Sequence, residues 1–497
     1  MAVTVWSGAL QGVHAVPIQV EVDLLRRLPR LVIVGLAANA VKEAAERVRS
    51  AVGNSGCEFP RQRIVVNLAP ADVKKEGTAL DLPVALGILA SAGDVPAESL
   101  DSVLAVGELA LSGDLRPVRG ALSLASLARS LDRTLLLPRA SAWQAGIVPG
   151  ARVVGVDTLT EAIAYLRGEF VPEAIPAPRD PTRDHGPDLS DVRGQAVARR
   201  ALEIAAAGAH HLLLVGPPGC GKSMLAQRLP TILPQASFEE ALDTSRIHSA
   251  AGLLDGGLGL LSRRPFRAPH HTVSVAGMVG DRSLRPGEVS LAHHGVLFLD
   301  EAAEFPRAVL EVLRQPLEDG VVRISRAAGT VEYPARLTLV LATNPCPCGH
   351  RGSGRPCSCT DSDVARYTRR LSGPVLDRVD LRVELRPLTS RELVSGPPGE
   401  SSADVRARVV CARERQAARG QLQPNAHLDA AGIRTVAPLS DVARNLLEEG
   451  ADRFQLSGRA TTRLLKVART VADLAERADI SESDVAEALA LRVAEAA

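Results

Sequence analysis

His211 to Ser223 reads HLLLVGPPGCGKS, an apolar run that passes without a spacer into G-x-x-x-x-G-K-S. Leucine and valine bounded by glycine predict a short strand buried on both faces, and the following MLAQRL predicts a helix. That order lets backbone N–H groups turn inward around an anion at the helix N-terminus. Gly216, Pro217, Pro218, Gly219, Cys220, Gly221, Lys222 and Ser223 are therefore the candidate phosphate cradle. Lys222 would reach the β- and γ-phosphates, and the Ser223 hydroxyl is placed for magnesium. Glycine-rich loops produce such octapeptides by chance, but the flanking strand and helix argue against chance here.

A second buried run, GVLFLDE at 295 to 301, ends in two adjacent carboxylates. Asp300 would complete a magnesium shell, and Glu301 would orient and deprotonate an attacking water. The two motifs together predict an ATPase whose cofactors are ATP and Mg2+. Ser223 and Asp300 stand 77 positions apart, more than the dozen or so residues of a minimal parallel crossover, so the interval carries an insertion. Within it, Arg263 to Arg285 holds five arginines against one aspartate, with His270 and His271 adjacent. It reads either as a solvated loop or as a pore or substrate loop. The histidines read as structural, because neither a carboxylate nor a cysteine lies at helical spacing from them. A hairpin candidate, DGVVRISRAAGTVEYPARL, follows, with Arg323 and Arg326 flanking a glycine turn. It leads into a third strand, LTLVLATN, whose terminal Asn344 would face the ligand crevice and sense water or the γ-phosphate. Arg263, Arg264, Arg267, Arg323 and Arg326 are the basic side chains that these two segments could offer to a polyanion.

The chain's 497 residues exceed one core, and aromatic residues make up only 2% of them, so Ala, Val and Leu must fill the interior. Residues 1–170 alternate short apolar strands with Ala-rich helices and predict a first α/β domain. Residues 171–188, VPEAIPAPRDPTRDHGPD, carry five prolines and predict a stiff linker. Residues 189–386 form the predicted nucleotide-binding core and 387–497 a helical region. A net charge of +1 excludes a simple polycation, so nucleic acid would be held by local patches. The N-terminus lacks a basic stretch followed by an apolar one, and no apolar run is long enough to span a bilayer. A cytoplasmic protein without a membrane partner is expected.

Four of the seven cysteines lie in TNPCPCGHRGSGRPCSC as two C-x-C pairs separated by eight residues. Cys346, Cys348, Cys357 and Cys359 offer the thiolates of a tetrahedral zinc site, and Gly349, Gly352 and Gly354 let the loop fold back. The spacing inside each pair is tighter than the commoner C-x-x-C knuckle. A reducing compartment disfavours a redox pair, and the loop is too polar for simple burial. A structural Zn2+ is therefore the expectation.

GPPGCGKS, VLFLDE, ATNP, SGPVLDRVDL and SGRATTRLLKVARTVADL resemble the magnesium-chelatase-like AAA+ ATPases. FRAPHHT, PGEVSLAHHGVLFLDE and NPCPCG narrow the resemblance to the ComM/YifB family across essentially the whole chain. It implies an AAA+ core with a helical lid of the magnesium-chelatase C-terminal type. It also implies that Arg378 in LDRVDL is the finger offered to a neighbour's ATP and that Arg459 in SGRA is the second sensor. A finger acting in trans implies a ring, expected to be a homo-hexamer. The first region resembles the Lon-protease fold, of the ribosomal S5 domain 2-like type, through KKEGTALDLPVALGILA and GELALSGDLRPVRGALSLA. Ala79 and Leu122 stand where the serine and lysine of that family would be. Acyl transfer lacks both nucleophile and base there, so a non-catalytic module is expected. The function implied is a hexameric DNA motor for branch migration, acting on single-stranded or branched DNA without sequence preference, with Arg263, Arg264, Arg267, Arg323 and Arg326 as its candidate DNA contacts. A chelatase-like motor subunit is the alternative, and a protease or unfoldase the least supported.

Overall fold

The computed structural model describes residues 2–35, 39–71, 78–175, 186–254, 260–281, 284–326, 329–371 and 373–492. Most of the expected linker, at 176–185, and the KKEG stretch at 74–77 lie outside the described residues. The N-terminal third builds a seven-stranded mixed sheet from β1 (Val3–Gln11), β2 (His14–Leu25), β3 (Arg30–Val34), β4 (Arg63–Ala69), β5 (Val103–Ala105), β8 (Thr134–Pro138) and β9 (Val153–Val156), in the order β3-β4-β2-β1-β5-β8-β9. A small ladder of β6 (Glu108–Leu109) and β7 (Leu115–Arg116) sits beside it. The helix Asp81–Ala92 is buried along most of its length because its DLPVALGILASA sequence is apolar all round.

The second sheet is wholly parallel: β10 (Leu212–Val215), β11 (Phe266–Arg267), β12 (Val296–Leu299), β15 (Thr338–Thr343) and β16 (Leu381–Glu384) lie in the order β11-β12-β15-β10-β16. Every residue of β10, β12 and β15 is buried, as continuous apolar runs require when both faces are covered. The expected hairpin forms as β13 (Val321–Arg326) paired antiparallel with β14 (Gly329–Pro334). Beyond β16 the chain is helical, and its longest helices, Ser402–Ala418 and Gly458–Leu474, join one core with β10 and β16. The fold is thus mixed α/β with a helical C-terminal region. No helix among the described residues is long and apolar enough to cross a membrane.

The two sheets are joined by packing. Val13, at the β1–β2 turn, is 6% exposed and lies in one apolar cluster with Met278, Val322, Ile324, Val331 and Tyr333 around the β13–β14 hairpin. The helix Phe238–Ala251, part of the insertion, meets the helix Ala121–Ser130 through hydrogen bonds from Gly120 N to Ser249 O (3.2 Å) and from Arg246 Nη2 to Ser126 Oγ (3.0 Å).

Candidate nucleotide site and cysteine cluster

Because β10, β12 and β15 run parallel and adjacent, their C-terminal ends deliver the glycine loop, Asp300 and Asn344 to one crevice. Lys222 is 9% exposed, and its ammonium donates to Gly216 O (2.6 Å), Pro217 O (3.0 Å) and Asn344 Oδ1 (3.0 Å). Burial pushes its pKa down, while Asp300 and Glu301 oppose the shift. The Ser223 hydroxyl donates to Asp300 Oδ2 at 2.6 Å, bringing the two expected magnesium ligands together. Gly219 (φ 77°) and Gly221 (φ 96°) sit in the left-handed region, and a Cβ built on either meets open space. The loop is therefore an open cradle whose lysine caps its own carbonyls, a shape that fits a polyphosphate.

Glu301 adopts φ 50°, uncommon for a residue with a Cβ, and its side chain is 58% exposed. Its nearest ion-pair partner is His271 Nδ1 at 3.7 Å, so the second histidine of FRAPHHT touches the proposed base. That contact was missed in the sequence because the two residues are distant along the chain. His271 follows the end of β11, the strand beside β12, by four residues, and that short apolar FR step before the histidines was the signal that could have found it. His270 stacks on His271, with ring centroids 4.0 Å apart.

Arg378 and Arg459 lie elsewhere. Asp380 N and Leu381 N both donate to His211 O, which precedes β10, so Arg378 sits at the sheet's opposite end from the glycine loop. The side chain is 4% exposed and pairs with Glu318. Arg459 is exposed in the first turn of the helix Gly458–Leu474. One turn on, Arg463 donates to Arg378 O (2.8 Å) and Asp380 Oδ1 (3.0 Å), joining that helix to the Arg378 loop. Asp380 also accepts from His211 N, and burial pushes the His211 imidazole down to about 4.

The basic candidates divide. Arg264 is pinned by Glu240 (2.8 Å) and the carbonyls of Pro234 and His294, and Arg267 makes a forked pair with Glu288 (2.6 and 2.8 Å). Both guanidiniums anchor the insertion to itself. Arg263 is exposed, and Arg323 is 51% exposed beside Glu332. The Arg326 side chain is outside the described residues.

All four cysteine sulfurs of the 346–359 loop lie within 4.8 Å of one another. Cys346 Sγ is 3.4 Å from Cys348 Sγ and 3.7 Å from Cys357 Sγ, and Cys348 Sγ is 3.5 Å from Cys357 Sγ. Zinc–sulfur bonds of about 2.3 Å in a tetrahedron separate sulfurs by about 3.8 Å, so the donor set fits Zn2+. Crowding splits the thiols: the backbone N–H of His350 pulls Cys348 down to about 6, while Cys357 and Cys359 are pushed up by burial and the neighbouring thiols.

Three family models cover most of the chain: "Magnesium chelatase, subunit ChlI" at residues 188–393, "Subunit ChlI of Mg-chelatase" at 20–141 and "Magnesium chelatase, subunit ChlI C-terminal" at 399–492. The YifB protein of Escherichia coli (strain K12) is 46% identical over 488 residues, 97% of this chain and 96% of that protein. The competence protein ComM of Haemophilus influenzae is 42% identical over 501 residues, 98% of this chain and 97% of that protein. The chain belongs to the ComM/YifB family. It is therefore a magnesium-chelatase-like AAA+ protein, a class whose cofactors are ATP and Mg2+. A putative Lon protease homologue of Methanothermobacter thermautotrophicus is 41% identical over 75 residues, 15% of this chain and 14% of that protein.

Proposed function

We propose that this chain is an ATP-hydrolysing, ring-forming DNA motor that drives branch migration during homologous recombination or the integration of transforming DNA. The observation that carries the reading is the convergence of Lys222, Ser223, Asp300 and Asn344, with Glu301 alongside, in a chain of the ComM family. In this reading the cradle binds ATP, Ser223 and Asp300 hold Mg2+, and Glu301 activates water. Bound Mg2+ would neutralise charge on the phosphates. Lys222 exchanges its own carbonyl partners for phosphate oxygens. Arg378 and Arg459, on the far side of the sheet from the glycine loop, serve the nucleotide of a neighbour in a homo-hexamer. The Arg378 pair with Glu318 opens on assembly. The division at 1–170, 171–188, 189–386 and 387–497 belongs to the same reading, with the first region a non-catalytic module. The compartment is the cytoplasm.

Wild-type protein should hydrolyse ATP faster when DNA is present and move a three- or four-way junction. Glu301→Gln should still bind ATP while turnover falls about 10²- to 10⁴-fold. A wild type that neither binds DNA nor is stimulated by it would sink the motor reading. A porphyrin-metallation assay serves as control, because the matching chelatase models favour metal insertion as the second reading.

In this reading the cysteine loop is a structural zinc clip that follows Asn344 directly and holds it in register with the segment leading to Arg378. Metal analysis should give about one zinc per chain. Less than roughly a tenth of an equivalent, with all four thiols freely titratable, removes the clip.

A further inference from the structure

We propose that the cleft between Ala303–Arg307 and the helix Asp361–Thr368 binds the phosphodiester backbone of nucleic acid, an assignment that rests on the DNA-motor reading. The cleft encloses about 360 Å³ and is lined by Glu304, Phe305, Arg307, Arg366, Arg369 and Arg370. Four guanidiniums thus face one carboxylate. The side chains of Arg307, Arg366 and Arg370 are 84%, 76% and 54% exposed, and Arg369 is exposed as well. Their partners are Glu311 at 3.7 Å for Arg307, Asp363 for Arg366 and Glu304 at 3.0 Å for Arg370. Such exposed pairs are individually worth about 0–1 kcal/mol, so a phosphate can displace them.

The lining also selects among anions. Phe305 is 4% exposed and packed in the core, so it is withheld from stacking. An acidic protein partner would want an apolar or aromatic anchor at the centre of its contact, which this lining does not offer. A row of cations without such an anchor suits a strand held by its backbone, tolerant of sequence.

The position connects a bound strand to the nucleotide site. Arg370 reaches Glu304, three residues beyond Glu301. On the buried side of the helix Asp361–Thr368, which Arg369 and Arg370 follow, Tyr367 Oη accepts from the Thr343 hydroxyl at 3.4 Å, next to Asn344. Thr360 caps the helix directly after Cys359, and Arg351 of the cysteine loop pairs with Asp361 at 3.0 Å. Phosphate contacts on this helix therefore bear on the water-activating carboxylate, the third strand and the cysteine loop together.

The test uses full-length protein and a fluorescein-labelled single strand, read by anisotropy from about 50 to 200 mM salt. The double variant Arg366→Ala/Arg369→Ala should bind about tenfold more weakly. Its log–log salt slope should be shallower by about 1.4, two phosphate contacts at about 0.7 each on single strands. Arg366→Lys/Arg369→Lys, which keeps both point charges, should recover most of the loss and the slope. A thermal midpoint equal to wild type establishes that either variant is folded. Wild-type affinity and slope in a folded alanine variant overturn the assignment while leaving the motor reading intact. Loss of self-association with DNA binding unchanged overturns it too, and gives the cleft to a second copy of the chain. Absence of DNA binding by the wild type defeats the motor reading and the cleft with it.

Discussion

At the C-terminal ends of β10, β12 and β15, Lys222, Ser223, Asp300 and Asn344 meet in an open crevice, and the lysine is left to cap backbone carbonyls. The seven-stranded sheet treats its polar groups differently. Asp81 is 1% exposed and takes a two-point pair from Arg47, with Leu109 N on one of its oxygens at 3.3 Å. Thr78 donates to Glu108. Ala79 contributes only a backbone carbonyl, to Gly107 N at 2.8 Å, and Leu122 is fully buried with Leu104, Val106 and Leu135. One sheet thus keeps polar groups that a ligand can still recruit, and the other has tied its polar groups to one another. Polar groups left open to a ligand mark a candidate site more sharply than fold does, since folds host many chemistries.

The comparison breaks most decisively at Leu122. Leu122→Lys, combined with Ala79→Ser, restores the residue types of the Lon pair but puts an ammonium among the buried side chains of Leu104, Val106 and Leu135. The expected cost is about 3–5 kcal/mol, read as a fall in the thermal midpoint, and casein should remain uncut. An unchanged midpoint together with peptide hydrolysis would mean that the first sheet is a site waiting for two side chains rather than a scaffold.

The sequence made the nucleotide crevice legible because each part is local. A buried strand plus a terminal polar residue can be read within about ten positions, and the parallel order then places the ends together. The cysteine loop was legible for the same reason. Partnership across the chain was not. Arg264 and Arg267 carry the same basic signature whether they face solvent or, as here, Glu240 and Glu288. Arg378 looks like any finger in LDRVDL until Glu318, 60 positions earlier, is found against it. The cleft arginines carry no motif, because Arg366, Arg369 and Arg370 only close the helix Asp361–Thr368, and Arg307 joins them through the fold. Composition shows charge, and the fold alone shows which charges are already engaged.

Val13 sharpens the comparison at the smallest expected scale. Gly12 takes φ 68°, the turn conformation glycine tolerates, and this projects Val13 out of β1–β2 into the hairpin cluster. The Val13 carbonyl accepts from the Ser123 hydroxyl at 2.6 Å, which fixes the tip from its own side. If the scaffold sheet serves the motor by bracing that hairpin, Val13→Ala should cost about 1–2 kcal/mol. The loss should fall at the seam rather than in either sheet. Amide hydrogen exchange in β13–β14 should then speed up about 5- to 30-fold, while β10 and β5 keep their protection. Leu28→Ala, at a side chain 87% exposed in the β2–β3 connection, should change neither. Faster exchange spread evenly through both sheets would mean that the tip is ordinary core, whereas a change confined to the hairpin makes it the brace through which the first sheet acts on the second.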